Sequence, residues 1–507
     1  MNRLTLEPER RGASIAPELH SQFIEELGRC IRGGVWVGED SEIANIHGIR
    51  ADVVNALKAL APPLIRWPGG CYADTYHWRD GIGPRDQRPV TFNENFGTYE
   101  RDDHQFGTHE FMELCRLVGA RPWINVNLVS GTVQEMKDWM EYCNRADDTD
   151  LARERAANGS PEPFHVEYWG IGNEPWCGGG YYTARGYTDT YRKYAMAAPN
   201  FHHALSDPDA PPMRMIIAGA DGNKPKERVA WTTDVFRHLG EYRQPPVYGM
   251  DLHFYNWNLA RQDETETDFT KEDWDRVIDS CFELEEVIHE QYQLIRSGVE
   301  AMPATQFGPP VDCKLMVGEW GNWHGCAFAA PTALFQQVSM RDAVTSALTL
   351  DIFHRCSDEV SAACVAQTVN VLNALFLTDG PRFLKTPNYD VFEMYLPHRG
   401  GTVIGCTPSE GCPASLHTFA SEKDGVITVN LVNASYDESE SLSISVPEGW
   451  RCIGARVLCS THPQDCNTWE EPDLIRARDA DGVAPVPGGC TALLPAASVT
   501  VVQFARA

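Results

Sequence analysis

Glu174, in the segment WGIGNEPW, and Glu319, in LMVGEWGNWH, each stand at the end of a short apolar run that reads as a buried strand. Two carboxyl groups so placed can break a glycosidic bond, which needs one group to protonate the departing oxygen and another to attack or stabilise the sugar cation. Either glutamate alone could equally be a surface carboxylate that happens to follow a strand. The flanking residues favour chemistry. Asn173 offers an amide beside Glu174, and Trp169, Trp176, Trp320 and Trp323 supply flat apolar faces suited to a sugar.

Both glutamates belong to a longer pattern. Candidate strands end near Glu25 in FIEEL, Arg66 in LIRWPGG, Asn127 in PWINVNL, Glu174, Asp221 in MIIAGAD, Tyr255 in GMDLHFY, Glu319, and around Gln367 in CVAQTVNVLN. The runs are short and mostly apolar, as in a parallel sheet covered by helices. Between them lie amphipathic segments such as THEFMELCRLVGA, where Phe111, Leu114, Cys115 and Val118 recur at spacings of three and four. Thr108 is placed to cap that helix and Gly119 to end it. Eight such units predict a closed (β/α)8 barrel. An open doubly wound sheet would more often carry a Gly-rich phosphate turn after its first strand, and GRCIRGG is not one.

A barrel of this kind projects its strand ends into one mouth, which would gather Glu25, Arg66, Asn127, Asn173, Glu174, Tyr255, Glu319 and Gln367. Taken singly, Arg66 could be a rim salt bridge, Tyr255 a half-buried filler and Gln367 a helix-start hydrogen-bonder. The regularity with which polar groups fall at strand ends favours a common site.

After about residue 398 the texture changes to short alternating runs such as VITVNLV and ASVTVVQF, separated by Pro, Gly and Asn. They predict an antiparallel, jelly-roll-like β-sandwich. The expected division is a catalytic barrel over 18–398 and a sandwich over 399–507, with residues 1–17 adding an edge strand through RLTLEP. The acidic stretches QDETETDFTKEDWD and DESE read as solvated faces or loops.

Composition narrows the function classes. The 71 acidic against 43 basic residues, a formal charge of -28, disfavour nucleic acid or an anionic membrane as partner. The start, MNRLTLEPERRGAS, lacks a hydrophobic h-region, so no standard export signal is read and a cytoplasmic location is expected. Sixteen cysteines without a repeating framework fit reduced thiols, with Cys30, Cys313 and Cys356 as small core residues. No cofactor or metal is expected, since two carboxylates suffice for the chemistry.

With these residues in view, the chain resembles glycoside hydrolase family 51, the group dominated by α-L-arabinofuranosidases. FIEELGRCIRGG, RWPGGCYADTYHWRDGIGP, FGTHEF, GNEPW, GEW and AQTVNVL occur in the order that family uses. The resemblance implies a barrel with a C-terminal sandwich, a retaining mechanism, Glu174 as acid/base and Glu319 as nucleophile. It further implies that Glu25, Arg66, Asn173, Tyr255 and Gln367 hold the furanose or orient the carboxylates, that Trp323 lines the sugar site, and that the chain assembles as a homo-oligomer, hexameric in many relatives. Trp67 and Cys71 stand where many relatives have Tyr and Asn. Cys71 is thus a substrate-contact position at which a thiol, a weak hydrogen-bonder, leaves one sugar contact to be remade by the backbone or lost. Pro175 follows the wider barrel-glycosidase pattern. Cys71 and Cys177 follow the second and fourth strands at the same barrel end and are read as unpaired thiols, with a disulfide or a metal site between them as the alternative. The expected activity is exo-acting release of terminal arabinose from arabinan- or arabinoxylan-derived oligosaccharides. A β-xylosidase or endo-β-glucanase on the same framework, and a non-catalytic carbohydrate-binding relative, are the alternatives.

Overall fold

The computed structural model of the protein describes residues 2–201, 207–258, 265–303, 312–329 and 333–506. After an N-terminal strand β1 (Asn2–Ser14) come β2 (Ser21–Phe23), β3 (Leu64–Trp67), β4 (Arg121–Val126), β5 (Tyr168–Ile171), β6 (Arg214–Asp221), β7 (Gly249–Asn258), β8 (Lys314–His324) and β9 (Val360–Ala366). The last eight form a closed parallel barrel in chain order, with β9 returning to pair with β2. All four residues of β3 and of β5 are buried, because side chains fill the barrel on one face and helices cover the other.

Local chemistry differs from expectation at one helix start. In Thr108–Val118 the N-cap is Gly107, whose N–H donates to Glu110 Oε2 at 2.9 Å. A Cβ on Gly107 would stand 1.9 Å from the Gly81 carbonyl oxygen, so close backbone contact fixes the cap. Thr108 becomes the first helical residue, and its hydroxyl accepts from Trp139 Nε1 at 3.1 Å. Gly119 does end the helix, at φ 79°.

Two strands overrun their expected ends. β7 and β8 stay paired from Gly249–Lys314 out to Asn258–His324, a two-stranded ribbon rising from the barrel mouth. Side chains alternate along it. Glu319 and Trp323 therefore share one side, while Trp320 points the other way, stacks on Phe392 at 6.1 Å and is 1% exposed. Trp169 is likewise wholly buried, so neither tryptophan offers a face to a sugar.

The rest of the chain adds β10 (Thr402–Pro408), β11 (Leu416–Lys423), β12 (Val426–Asn433), β13 (Glu440–Ser445), β14 (Trp450–Leu458), β15 (Arg478–Asp479), β16 (Val483–Val486), β17 (Gly489–Leu494) and β18 (Ser498–Arg506). With β1 they form a ten-stranded sheet in the order β15-β14-β18-β12-β11-β10-β1-β13-β17-β16. The expected edge strand is an interior one: β1 pairs antiparallel with β10 and parallel with β13. Leu4 and Leu6 enter a core with Leu431, Ile444 and Phe504.

The sheet's other face meets the barrel through the helices Met340–Arg355 and Pro387–Tyr395. There Asn430 donates to Asp351 Oδ1 at 2.7 Å, and His398 Nε2 lies 2.8 Å from Asn430 Oδ1. The acidic stretch near 262–275 is only partly a solvated face. Residues 262–264 lie outside the described residues, Asp273 is buried in a capping box with Thr270, and buried Trp274 donates to the Ala434 carbonyl at 2.8 Å. Because β1 is held on both sides, Leu4→Ala is expected to cost about 2–5 kcal/mol in denaturant unfolding. A change within about 0.5 kcal/mol, as at an exposed position, would count against that placement.

Candidate active site

At the C-terminal end of the barrel a cavity of about 450 Å3 is lined by Glu25, Asn173, Glu174, Tyr255, Glu319 and Gln367, among others. Glu319, inward on β8, accepts from Arg66 Nη1 at 2.8 Å and from Tyr255 hydroxyl at 2.6 Å, so both carboxylate oxygens are held. Arg66, inward on β3 and 0% exposed, also donates through Nη2 to Asn173 Oδ1 at 2.6 Å and stacks over Phe23. Glu25 lies just past β2. Its Oε1 accepts from the N–H groups of Gly70 and Tyr72 at 2.9 and 3.0 Å, and its Oε2 from Gln367 Nε2 at 2.7 Å. Burial, and then the charge of Glu319, push the Glu25 carboxyl up to about 7.

Glu174 follows β5 and has a partner that sequence reading missed. His253 Nδ1 lies 2.9 Å from Glu174 Oε1 and 3.6 Å from Glu319 Oε2, and its Nε2 lies 3.3 Å from Asp251 Oδ2. One oxygen of each glutamate and the His253 ring nitrogen all fall within 4.8 Å of one another. Burial raises the pKa of Glu174; the hydrogen bond and charge of His253 act against the rise, and Glu319 adds to it. His253 itself is held well above the usual imidazole range, since the carboxylates of Glu319 and Asp251 outweigh its burial. The signal for His253 lay in LHFY, two residues before Tyr255: period-two alternation turns both toward the barrel interior.

Glycines let the chain pass between these groups. A Cβ on Gly70 would stand 2.9 Å from Glu319 Oε1, and one on Gly318 would stand 2.2 Å from Asp251 Oδ1, which accepts the Gly318 N–H at 2.6 Å. Among the described residues, Asn173 Nδ2 and Gln367 Oε1 are buried without a hydrogen-bond partner, and both belong to side chains that line the cavity. At the mouth, Trp323 stacks between Trp257 at 4.8 Å and Phe328 at 5.5 Å, and Phe96 leans on it at 6.0 Å. Trp176 also lines the cavity.

Cys71 lines this cavity, and burial raises its thiol pKa well above the ordinary value. It and Cys177 are unpaired thiols, as are the buried Cys30, Cys313 and Cys356. Asn127 does not join the site. Its Oδ1 accepts the N–H groups of Val129, Ser130 and Gly131, closing its own loop. Trp67 is packed on Phe111 at 4.8 Å, away from the cavity.

The family model described as alpha-L-arabinofuranosidase 1 domain matches residues 56–274, and that described as alpha-L-arabinofuranosidase C-terminal domain matches residues 318–498. The chain is 34% identical, over 97% of its length and 94% of the relative's, to an intracellular exo-alpha-L-arabinofuranosidase of Bacteroides ovatus. It belongs to the α-L-arabinofuranosidases of glycoside hydrolase family 51. Among solved structures, the family 51 arabinofuranosidase from Xanthomonas axonopodis pv. citri superposes with a TM-score of 0.88 at 31% identity, covering 99% of this chain and 100% of that one. The alpha-L-arabinofuranosidase from Thermotoga maritima, solved as an arabinose complex, gives 0.81 at 26% identity, covering 99% of each.

The pH dependence of the family's hydrolysis should report the Glu174–His253 contact. The protonated form of Glu174 is lost as pH rises through its pKa, and His253 lowers that pKa; if hydrolysis needs that form, its alkaline limb follows the same group. His253→Asn removes the charge, so the alkaline limb of kcat/KM is expected to move to higher pH. A limb that stays or moves down would show that His253 does not govern Glu174.

Proposed function

We propose that this enzyme removes terminal α-L-arabinofuranosyl residues by double displacement, with Glu319 as nucleophile and Glu174 as acid and base. The observation that carries the reading is the approach of the two carboxylates to within 4.8 Å, each in a different environment. Retaining glycosidases hold the pair about 5 Å apart, too close for the intervening water of an inverting enzyme. The Glu319 carboxylate attacks the anomeric carbon as the glycosidic C–O bond breaks, and Glu174 delivers its proton to the leaving oxygen. An arabinosyl ester on Glu319 results. In the second step Glu174 takes a proton from water, the water oxygen bonds to the anomeric carbon, and Glu319 departs with configuration retained.

The environments suit these roles. Glu319 is aimed by Arg66 and Tyr255, whereas Glu174 is protonated to higher pH by burial. Asn173 Nδ2 is free to donate to the sugar 2-hydroxyl, a bond that strengthens as charge develops at the anomeric centre. Glu25 and Gln367 offer further oxygens to the furanose, Trp323 a wall, and Cys71 its backbone beside the sugar. The Bacteroides ovatus relative, named intracellular and exo-acting, supports a cytoplasmic enzyme that trims imported oligosaccharides from the end. No helix among the described residues is long and apolar enough to cross a membrane. The family resemblance supports a hexamer, which light scattering would show as six times 56.6 kDa.

Glu319→Ala is expected to abolish turnover of 4-nitrophenyl α-L-arabinofuranoside. Glu174→Ala is expected to slow an arabinose disaccharide by about 100-fold or more, and the aryl substrate far less, because nitrophenolate leaves without a proton. Equal losses on both substrates would remove Glu174 from the acid/base role. Cleavage of the β-D-xylopyranoside or a soluble β-glucan in place of the arabinoside would favour the xylosidase or glucanase alternative.

A further inference from the structure

Asp74 ends the turn Cys71–Asp74 that follows β3, and it is 0% exposed. Its Oδ1 accepts from the Leu128 N–H at 2.9 Å, in the loop after β4. Its Oδ2 accepts from the Asn173 N–H at 3.1 Å, in the loop after β5. One carboxyl group thus joins three successive strand-to-helix loops. Among the described residues no basic side chain forms an ion pair with it. Burial raises its pKa, while the two peptide donors and the nearby Arg66 charge act against the rise. Asparagine or serine would offer one acceptor oxygen in place of two; the carboxyl group gives each of these N–H groups an oxygen of its own.

The residue after Asn173 needs such an anchor. Glu174 has φ 39°, in the left-handed region that a residue with a Cβ rarely enters and that persists only where the surroundings enforce it. Downstream, its carbonyl accepts from the N–H groups of Cys177 and Gly179 at 2.8 and 3.1 Å. A Cβ on Gly179 would lie 1.7 Å from the Asn173 carbonyl oxygen, so the chain folds back tightly on this peptide. Upstream, the side-chain bond that fixes the peptide nitrogen of Asn173 is the one to Asp74. Both Asn173, held by Arg66, and Glu174, held by His253, are therefore presented from a peptide clamped at each end.

We propose that Asp74 is a positioning residue for the acid/base step, enforcing the left-handed backbone from which Glu174 reaches the leaving oxygen. This rests on Glu174 being the acid and base. It distinguishes Asp74 from a loop staple whose loss would disturb the whole cavity alike.

The test uses the full enzyme with Asp74→Asn, Asp74→Ala and Glu174→Ala, each on 4-nitrophenyl α-L-arabinofuranoside and on an arabinose disaccharide, with and without azide. Asp74→Asn keeps an oxygen for one N–H and so decides the matter if Asp74→Ala does not fold. A misplacement of about an ångström costs on the order of 100-fold, so kcat/KM of Asp74→Asn should fall about that much on the disaccharide and under about 3-fold on the aryl substrate. Azide, which needs no base, should attack the anomeric carbon of the arabinosyl ester, release Glu319 and yield arabinosyl azide, raising kcat on the aryl substrate as in Glu174→Ala. Equal losses on both substrates, or no azide product from a folded Asp74→Asn, would overturn the proposal. If Glu174→Ala itself shows no difference between substrates, the acid/base reading falls and the proposal with it.

Discussion

The buried guanidinium of Arg66 is the constraint on which the site depends. A cation with no exposure is costly unless its hydrogen bonds and charge are both answered, and losing one partner leaves that cost uncompensated. Arg66 is answered by Glu319 at 2.8 Å, by the Asn173 amide at 2.6 Å and, at 3.8 Å, by Asp251. These partners come from β8, the loop after β5 and β7, so satisfying one side chain sets the relative positions of three strand ends. The planar fork suits this, because its donors point in fixed directions.

Around that cation the carboxyl groups are sorted by what they meet. Glu319 receives donors on both oxygens. Glu25 is tied by two peptide N–H groups and Gln367, and has no basic partner among the described residues; burial then lifts its pKa to about 7. Glu174 faces His253, which is backed by Asp251. Burial raises the pKa of both Glu25 and Glu174, and different neighbours temper the rise at each: peptide donors, Arg66 and Gln367 at Glu25, and His253 at Glu174. Close approach of backbone at Gly70 and Gly318 makes this density of charge possible, since a methyl group at either place would displace a carboxylate.

The wall of the cavity comes from a different source. β7 and β8 go on pairing after the barrel has closed, and the overrun carries Trp257 and Trp323 into a stack with Phe328. Flat apolar rings above and polar groups below give the cavity two chemically distinct ends, as a sugar with one apolar face and several hydroxyls requires.

The sequence by itself determined the kinds of element and the chemistry available to them. Apolar runs separated by amphipathic segments specify strands covered by helices, and glutamates at two strand ends, with amide and indole groups beside them, supply the groups that glycosidic chemistry needs, because both signals are local. Glu25, Arg66, Asn173, Tyr255 and Gln367 were legible on the same ground, and all five line the cavity or bond to residues that do. Tertiary structure alone decided the rest. That Gln367 donates to Glu25 across 342 residues follows from barrel closure. That Asn127 closes its own loop, that Trp320 turns into the core, and that β1 lies inside the sheet instead of at its edge depend on which face and which neighbour each residue finds. His253 shows the division most plainly. Its type was visible, but its place between the carboxyl groups of Glu174 and Glu319 exists only once β5, β7 and β8 stand side by side, because hydrogen bonds depend on distances that the order of residues does not contain.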